Sequence, residues 1–250
     1  MGRVETFDFY FPYKNVDKSI HIYLPEGEGP FPVLYMYDGH NLFFNSWATY
    51  GTSWGLKDFM DNYPQPMIIV GIECSHQGSE RLWEYSPYKI EQSIFGSGLI
   101  DGYGKQYMEW LVNTLKPHID NKYPTLSDRQ NTAVGGSSMG GLMAFYSGLA
   151  HNKTFSKIAS LSPSLFFCKK QLMEEWEHSQ IDPDSRFYFS FGEEEIENSP
   201  QALSPVEYFN DAIQQAGASS MIHIQAGGGH NEATWAAQNQ RYIAFLFEER

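Results

Sequence analysis

The sequence predicts an α/β fold, with a mostly parallel central sheet of about eight strands and helices on both faces. Short apolar runs alternate along the chain with longer segments whose apolar residues recur at helical spacing. Several of the short runs are continuously apolar, as in strands that are buried on both faces. With 250 residues, 42% of them hydrophobic and 19% charged, the chain can bury a sizeable core. We therefore predict a single domain over residues 1–250.

Each element follows from a local pattern. Residues 4–11 and 19–24 alternate in polarity around a polar turn, which predicts an antiparallel hairpin. The later apolar runs predict strands over residues 32–37, 67–72, 131–136, 157–161, 186–191 and 220–225. Helical spacing predicts helices over residues 103–119, 142–150, 204–216 and 233–247.

Charge and cysteine content exclude several function classes. The net charge of −13 comes from 17 basic and 30 acidic side chains, and it argues against nucleic-acid or anionic-membrane partners. No apolar run approaches the roughly 20 residues of a membrane span. The first residues lack a signal-peptide core, so we expect a cytoplasmic protein, although a signal peptide removed beforehand would leave the same sequence. Cys74 and Cys168 form no CxxC pair, and the sequence predicts neither a disulfide scaffold nor a metal site.

The sharpest motif is NTAVGGSSMGG at residues 131–141, which contains the GxSxG pattern centred on Ser138. A strand-like segment precedes it and a helical segment follows. This context fits a serine on a strained strand-to-helix turn, where flanking glycines allow close backbone approach. The same turn points the amide of Met139 to the place where negative charge develops. The neighbouring Ser137 lacks glycines at the required offsets, so we predict Ser138 as the nucleophile.

When a GxSxG serine is the nucleophile, the catalytic residues follow along the chain in the order serine, acid, histidine. Among the histidines, His223 and His230 lie downstream of every plausible acid. His223 sits within an alternating strand, where packing is its expected role. His230 follows three glycines and precedes the last helix, and we predict it as the general base. The acid belongs on the loop after strand 186–191, which reads GEEEIE, and the residues alone leave open which glutamate it is.

Several stretches resemble the “putative esterase” family of α/β-hydrolases, which includes esterase D (S-formylglutathione hydrolase), siderophore esterases, feruloyl and acetylxylan esterases, and the antigen 85 mycolyltransferases. The resemblance implies an α/β-hydrolase fold and ester hydrolysis. The matching segments span nearly the whole chain: VLYMYDGHNLF at 33–43, RLWEYSP at 81–87, the run 107–120, AVGGSSMGG at 133–141 and GGGHNEATW at 227–235.

The resemblance also implies site residues. The family pattern G-x-x-[DE] after the seventh strand places the acid at Glu195, with Glu194 as the alternative. Many relatives have Asp there, and Glu is one methylene longer. The segment DGH at 38–40 resembles the family's oxyanion-hole turn. We therefore predict that the backbone amides of His40 and Met139 form the oxyanion hole.

Together these features predict a serine esterase that hydrolyses small acyl esters without a metal or organic cofactor. Acetyl or feruloyl esters of carbohydrates are the candidate substrates, and the sequence does not indicate an oligomeric state. Acyl transfer by the same triad and a non-catalytic binding module on a hydrolase scaffold are the alternatives. We expect Arg81 to have a structural role, paired with Glu84. Aromatic residues in or near predicted loops could pack in the core or stack on substrate: Trp47, Tyr50, Trp54, Trp83, Tyr85 and Trp235.

Overall fold

A computed structural model describes residues 1–90 and 98–248 of the chain. The chain divides into two compact units, Met1–Thr132 and Ala133–Arg250. Eight strands occur in the described residues, and most of their pairings are parallel, which confirms the predicted α/β fold class. The single domain predicted over residues 1–250 stays a prediction.

The first unit has four strands in the order β1-β2-β4-β3. As predicted, β1 and β2 form an antiparallel hairpin, while β3 and β4 run parallel. Every residue of β3 and β4 is buried, as the continuous apolar runs indicated. The strands are β1 (Arg3–Phe11), β2 (Val16–Leu24), β3 (Val33–Tyr37) and β4 (Ile68–Ile72). The helices are α1 (Leu56–Asn62), α2 (Glu80–Glu84), α3 (Gly104–Trp110) and α4 (Lys116–Lys122).

The helix predicted over residues 103–119 consists of α3 and α4 joined by a π-helical segment, Leu111–Leu115. Pro117 lies in the first turn of α4. Proline has no N–H to donate, and its ring clashes with the carbonyl one turn earlier in a regular α-helix. The wider turn of the π segment removes that conflict at the join.

The second unit has four parallel strands in the order β5-β6-β7-β8. Helix α5 contacts β6, α8 contacts β8, and α10 contacts β6 and β7. None of the helices in the described ranges is long and apolar enough to cross a membrane. The strands are β5 (Thr132–Ser137), β6 (Lys157–Leu161), β7 (Arg186–Gly192) and β8 (Ser219–Gln225). The helices are α5 (Met139–Ala150), α6 (Lys169–His178), α7 (Glu193–Asn198), α8 (Leu203–Gln215), α9 (Glu232–Ala236) and α10 (Asn239–Phe247).

Two predicted segments of this unit differ from the structure. The helix expected over 233–247 breaks into α9 and α10 at the buried Gln238, whose amide donates to the Thr234 carbonyl and accepts from the Tyr188 hydroxyl, both at 3.0 Å. These side-chain bonds compete with a continuous helix. The loop expected over 192–197 is the helix α7, because glutamates in its first turn stabilise a helix N-terminus.

Candidate active site

Ser138 lies between β5 and α5 with φ 57° and ψ −120°, a conformation that is strained for a residue with a side chain. The surrounding backbone holds it there. Its N–H donates to the carbonyl of Leu161 at 3.0 Å, and its own carbonyl accepts from the amides of Leu142 and Ser164. The strained turn predicted from GxSxG is therefore present, and it fixes where the serine side chain leaves the backbone.

Glycine allows the helix after this turn to approach β6 closely. A Cβ at Gly141 would lie 2.7 Å from the carbonyl oxygen of Leu161 and 3.1 Å from the Cα of Pro163. Met139 is the first residue of α5, so its N–H has no acceptor within the helix. An amide in that position is available to an anion. Ser137, the neighbouring serine, is the last residue of β5 and pairs with Leu161 in the ladder.

Glu195 lies in the first turn of α7, directly after β7, and both of its carboxylate oxygens accept hydrogen bonds. Oε2 is 2.6 Å from Nδ1 of His230. Oε1 accepts from the Gly192 N–H at 2.8 Å and from the Ser162 hydroxyl at 2.7 Å. Burial raises the pKa of Glu195, but the hydrogen bonds from His230, Ser162 and Gly192 outweigh it and hold the pKa below its ordinary value.

An ionised carboxylate can only accept hydrogen bonds, so the geometry assigns the proton of the neutral His230 ring to Nδ1. Nε2 then carries the lone pair that a general base needs. The His230 side chain is 46% exposed, while that of Glu195 is 10% exposed. The indole of Trp235 packs edge-on against the imidazole, with ring centroids 5.2 Å apart. The acid is shielded, and the base faces solvent.

The glutamates that the sequence could not separate have different partners in the structure. The carboxylate of Glu193 accepts from the Gly227 N–H at 2.8 Å, and the backbone N–H of Glu194 donates to the Gly228 carbonyl at 3.0 Å. Both contacts hold the glycine loop that carries His230. A side chain at Gly192 would collide with the Gly228 carbonyl. Of the three glutamates in this turn, Glu195 is the one that contacts the imidazole.

The described residues contain no hydrogen bond from the Ser138 hydroxyl to His230. The structure thus brings the predicted base and acid together and places Ser138 at the strained turn of the same unit. Catalytic hydrogen bonds are often long or misaligned before substrate binds. His223, the other downstream histidine, lies in β8, where its ring contacts the amide oxygen of Gln225 at 3.3 Å.

The segment 38–40 of the first unit forms a tight turn after β3. Asp38 has a left-handed conformation, φ 57°, and Gly39–Asn41 is a single 3-10 turn. A Cβ at Gly39 would lie 2.8 Å from the amide nitrogen of Ile72, so only glycine fits beside β4. The N–H of His40 lies in the first turn of this segment, where no intrahelical acceptor exists.

Arg81 anchors this turn through a partner that the sequence analysis did not predict. Its guanidinium forms two 2.7 Å hydrogen bonds with the carboxylate of Asp38. Burial raises the pKa of Asp38, and the Arg81 guanidinium more than reverses that effect, so the pKa lies below its ordinary value. The structural role expected for Arg81 is observed, but the predicted pairing with Glu84 is wrong.

Comparison with known proteins identifies the family. The family described as “Putative esterase” matches residues 13–242. The chain belongs to this esterase family. Ester hydrolysis is therefore the chemistry of the family to which the chain belongs.

Two relatives cover nearly all of this esterase. The “Uncharacterized protein YbbA” of Bacillus subtilis is 26% identical over 247 residues, 94% of either chain. An “Endo-1,4-beta-xylanase/feruloyl esterase” of Xylanibacter ruminicola is 24% identical over 257 residues. That alignment covers 99% of this chain and 32% of the relative, so the esterase spans about a third of that longer protein.

Solved structures share the fold of this esterase at low sequence identity. The BES protein from Bacillus cereus has a TM-score of 0.75 at 18% identity, over 97% of this chain and 94% of that one. A ferulic acid esterase has a TM-score of 0.66 at 20% identity, over 99% of this chain and 98% of that one. The “Enterobactin and Salmochelin Hydrolase IroE” has a TM-score of 0.72 at 18% identity, over 99% of this chain and 96% of that one.

Ser162 is the residue of this site that sequence reasoning missed. It follows β6 with φ 43° and is buried. Its hydroxyl donates to Glu195 and accepts from the indole N–H of Trp235 at 2.9 Å, and its N–H donates to the Ser190 carbonyl at 2.7 Å. The only signal in the sequence is its position at the carboxyl end of a strand next to the nucleophile strand, where sites of α/β folds assemble.

Of the six aromatic residues considered for stacking, Trp83 is half-buried and the other five fall into two groups. Trp54, Tyr85 and Trp235 are buried, as core packing predicts. Trp47 and Tyr50 are 42% and 79% exposed, and because the Trp47 ring packs against Phe44 and His21, Tyr50 is the more accessible of the two.

Proposed function

We propose that this esterase is a serine carboxylic-ester hydrolase in which Ser138 is the nucleophile, His230 the general base and Glu195 the acid. The observation that carries the proposal is the 2.6 Å hydrogen bond between Glu195 and Nδ1 of His230. It leaves Nε2 as the basic nitrogen, in the same unit as the strained Ser138 turn. This is the division of roles that acyl transfer through serine requires.

In the proposed reaction, Nε2 of His230 takes the proton of the Ser138 hydroxyl as its oxygen attacks the ester carbonyl. The tetrahedral intermediate expels the alcohol, which receives that proton from His230, and leaves an acyl ester on Ser138. Water then loses a proton to His230 and attacks the acyl group. Collapse of the second intermediate returns the proton to Ser138 and releases the carboxylic acid. Glu195 stabilises the imidazolium in both halves.

The negative oxygen of each intermediate is proposed to accept hydrogen bonds from the amides of His40 and Met139. Loss of one such donor typically costs about 2.7–4 kcal/mol of barrier. Each amide lies in the first turn of a helix, where no intrahelical acceptor exists, and this position supports the proposed role.

The proposed substrates are small acyl esters, with acetyl or feruloyl esters of carbohydrates as the first candidates. The feruloyl esterase names of one sequence relative and one structural relative support this class. The exposed Trp47 and Tyr50 are aromatic surfaces of the kind that stack on sugars or aromatic acyl groups. Acyl transfer by the same triad remains the alternative, and product analysis with added acceptor sugars would separate the two reactions.

Ser138→Ala tests the proposal, with Ser137→Ala as its matched control. We expect Ser138→Ala to lower kcat/KM for p-nitrophenyl acetate by about 10⁴-fold or more, because the acyl-enzyme cannot form. Ser137→Ala should stay within about tenfold of the wild type, since it lies outside the proposed chemistry. Full turnover by Ser138→Ala would refute the mechanism. The kcat/KM values of the wild type for longer p-nitrophenyl esters, methyl ferulate and acetylated xylan would rank the substrate classes.

A further inference from the structure

A cluster of potential metal ligands lies in the first unit, and it uses the side chain of His40, whose backbone amide is the proposed oxyanion donor. One ligand atom each from His40, Cys74 and His76 lies within 4.8 Å of the other two. His40 follows β3, while Cys74 and His76 follow β4. Because β3 and β4 are parallel neighbours, their carboxyl ends bring these residues together.

The hydrogen bonds of the two histidines show which nitrogens are available. Nε2 of His40 contacts the Thr49 hydroxyl at 2.9 Å, and Nε2 of His76 contacts the carboxylate of Glu73 at 2.7 Å. Nδ1 of His40 is buried and has no hydrogen-bond partner among the described residues. The whole residue is only 5% exposed, so a water molecule does not readily replace the missing hydrogen-bond partner of Nδ1. A buried, unpartnered imidazole nitrogen is costly, and a bound ligand explains it.

Neighbouring side chains already hydrogen-bond the ring nitrogens that would face away from a metal ion. Ligating histidines commonly bond a carboxylate or other oxygen through their second nitrogen, as His76 does with Glu73 and His40 with Thr49. The buried thiol of Cys74 adjoins the carboxylate of Asp38, whose charge is balanced by Arg81. Burial and the Asp38 carboxylate raise the pKa of the Cys74 thiol, and the Arg81 guanidinium opposes that shift, so a metal ion has to displace the thiol proton when it binds.

An entry path reaches the cluster. A surface cavity of about 490 Å³ is lined in part by Glu73, Cys74, Ser75 and His76. The His76 side chain is 54% exposed. Its ring can therefore adjust toward the roughly 3.3–3.6 Å between ligand atoms that tetrahedral zinc bond lengths imply.

We propose that Nδ1 of His40, Sγ of Cys74 and Nδ1 of His76 bind a divalent transition-metal ion, with Zn²⁺ as the best match. One thiolate and two neutral imidazoles form a donor set that tetrahedral zinc favours. A water molecule completes the fourth position. On binding, the Cys74 thiol releases its proton to solvent and a Zn–S bond forms. The site stands whether or not Ser138 is the nucleophile.

Metal titration of the full-length, tag-free chain tests the proposal. With Zn²⁺ in competition with a chromophoric chelator, we expect one tight site per chain. Cys74→Ser and His76→Ala should each weaken it by at least about 100-fold. Co²⁺ as a spectroscopic probe should give thiolate-to-metal charge-transfer absorption that Cys74→Ser abolishes. Cys168→Ser and His178→Ala, which remove a thiol and an exposed histidine elsewhere, should leave both signals unchanged.

His76→Ala is the decisive variant, because an exposed side chain can be removed without disturbing the core. Zinc affinity of His76→Ala equal to that of the wild type would overturn the assignment, as would failure of the wild type to compete with the chelator. Cobalt absorption without a thiolate contribution in the wild type would exclude Cys74 as a ligand and overturn it as well.

Discussion

His230 and His40 are both held by oxygen partners, yet opposite ring nitrogens are engaged. In His230, Nδ1 bonds the Glu195 carboxylate and Nε2 is left for chemistry on a half-exposed ring. In His40, Nε2 bonds Thr49 and Nδ1 is buried without a partner in the described part of the chain. Burial lowers the pKa of His40, which keeps that ring neutral.

The difference shows how the surroundings of an imidazole decide its chemistry. A carboxylate on Nδ1 and access to water suit a proton carrier, because the imidazolium is stabilised when it forms. Burial beside a thiol and a second imidazole suits a metal ligand, because the neutral ring is the form that binds metal. The residue type alone does not distinguish the two roles.

Glu195→Gln tests the proposed role of His230 as a proton carrier, and we expect it to have the largest effect. The amide oxygen of Gln would accept from Gly192 and Ser162, so its NH₂ would face His230. That contact demands the lone pair on Nδ1 and moves the ring proton to Nε2, the wrong tautomer for a base. We expect kcat/KM for p-nitrophenyl acetate to fall by about 10³–10⁴-fold.

Glu194→Gln is the matched control, because the backbone N–H of Glu194 that donates to the Gly228 carbonyl of the His230 loop is kept in this variant. It should keep activity within about threefold of the wild type. If kcat/KM fell equally in the two variants, negative charge near His230, rather than the hydrogen bond to Glu195, would be what activates His230.

A smaller effect is expected from Ser162→Ala, which removes one donor from the Glu195 carboxylate. We expect kcat/KM to fall about tenfold, or about 1.4 kcal/mol, close to the lower end of what a hydrogen bond to a charged group contributes. The same change should raise the pKa of Glu195, since a bond to the ionised form is lost. Carbon-13 NMR of the glutamate carboxyls measures that titration directly.

The sign of the pH effect follows from the lowered pKa of Glu195 in the native protein. The ionised network stabilises the fold above the unfolded-state pKa of Glu, and this contribution is lost as pH falls through the lower folded-state value. In Ser162→Ala the folded-state pKa is higher, so in urea unfolding the loss should be complete at a higher pH and should be smaller. Ser179→Ala, at the residue that follows α6, should titrate as the wild type does. An unchanged Glu195 titration in Ser162→Ala would reduce Ser162 to a packing role.

The sequence predicted the strands, the Ser138 turn and the His230 loop because local patterns encode them. Periodicity, glycine spacing and chain order suffice for those features. Among the glutamates after β7, the choice of Glu195 came from family resemblance. The structure supplies its physical basis, because partners distant in the chain hold each glutamate differently.

Other features could not be predicted because they depend on contacts between distant segments. The helix break at Gln238 needs the hydroxyl of Tyr188, and the role of Ser162 needs both Glu195 and Trp235. The cluster of His40, Cys74 and His76 has no spacing that signals a metal site. It exists because two parallel strands end side by side.

Labelling by a fluorophosphonate probe, with the modified peptide mapped by mass spectrometry, tests the central claim most directly. A serine activated by His230 and Glu195 should form a covalent adduct at Ser138, and Glu195→Gln should slow its formation far more than Glu194→Gln. An adduct at a different residue, or an unlabelled wild-type protein that still hydrolyses p-nitrophenyl acetate, would contradict the account.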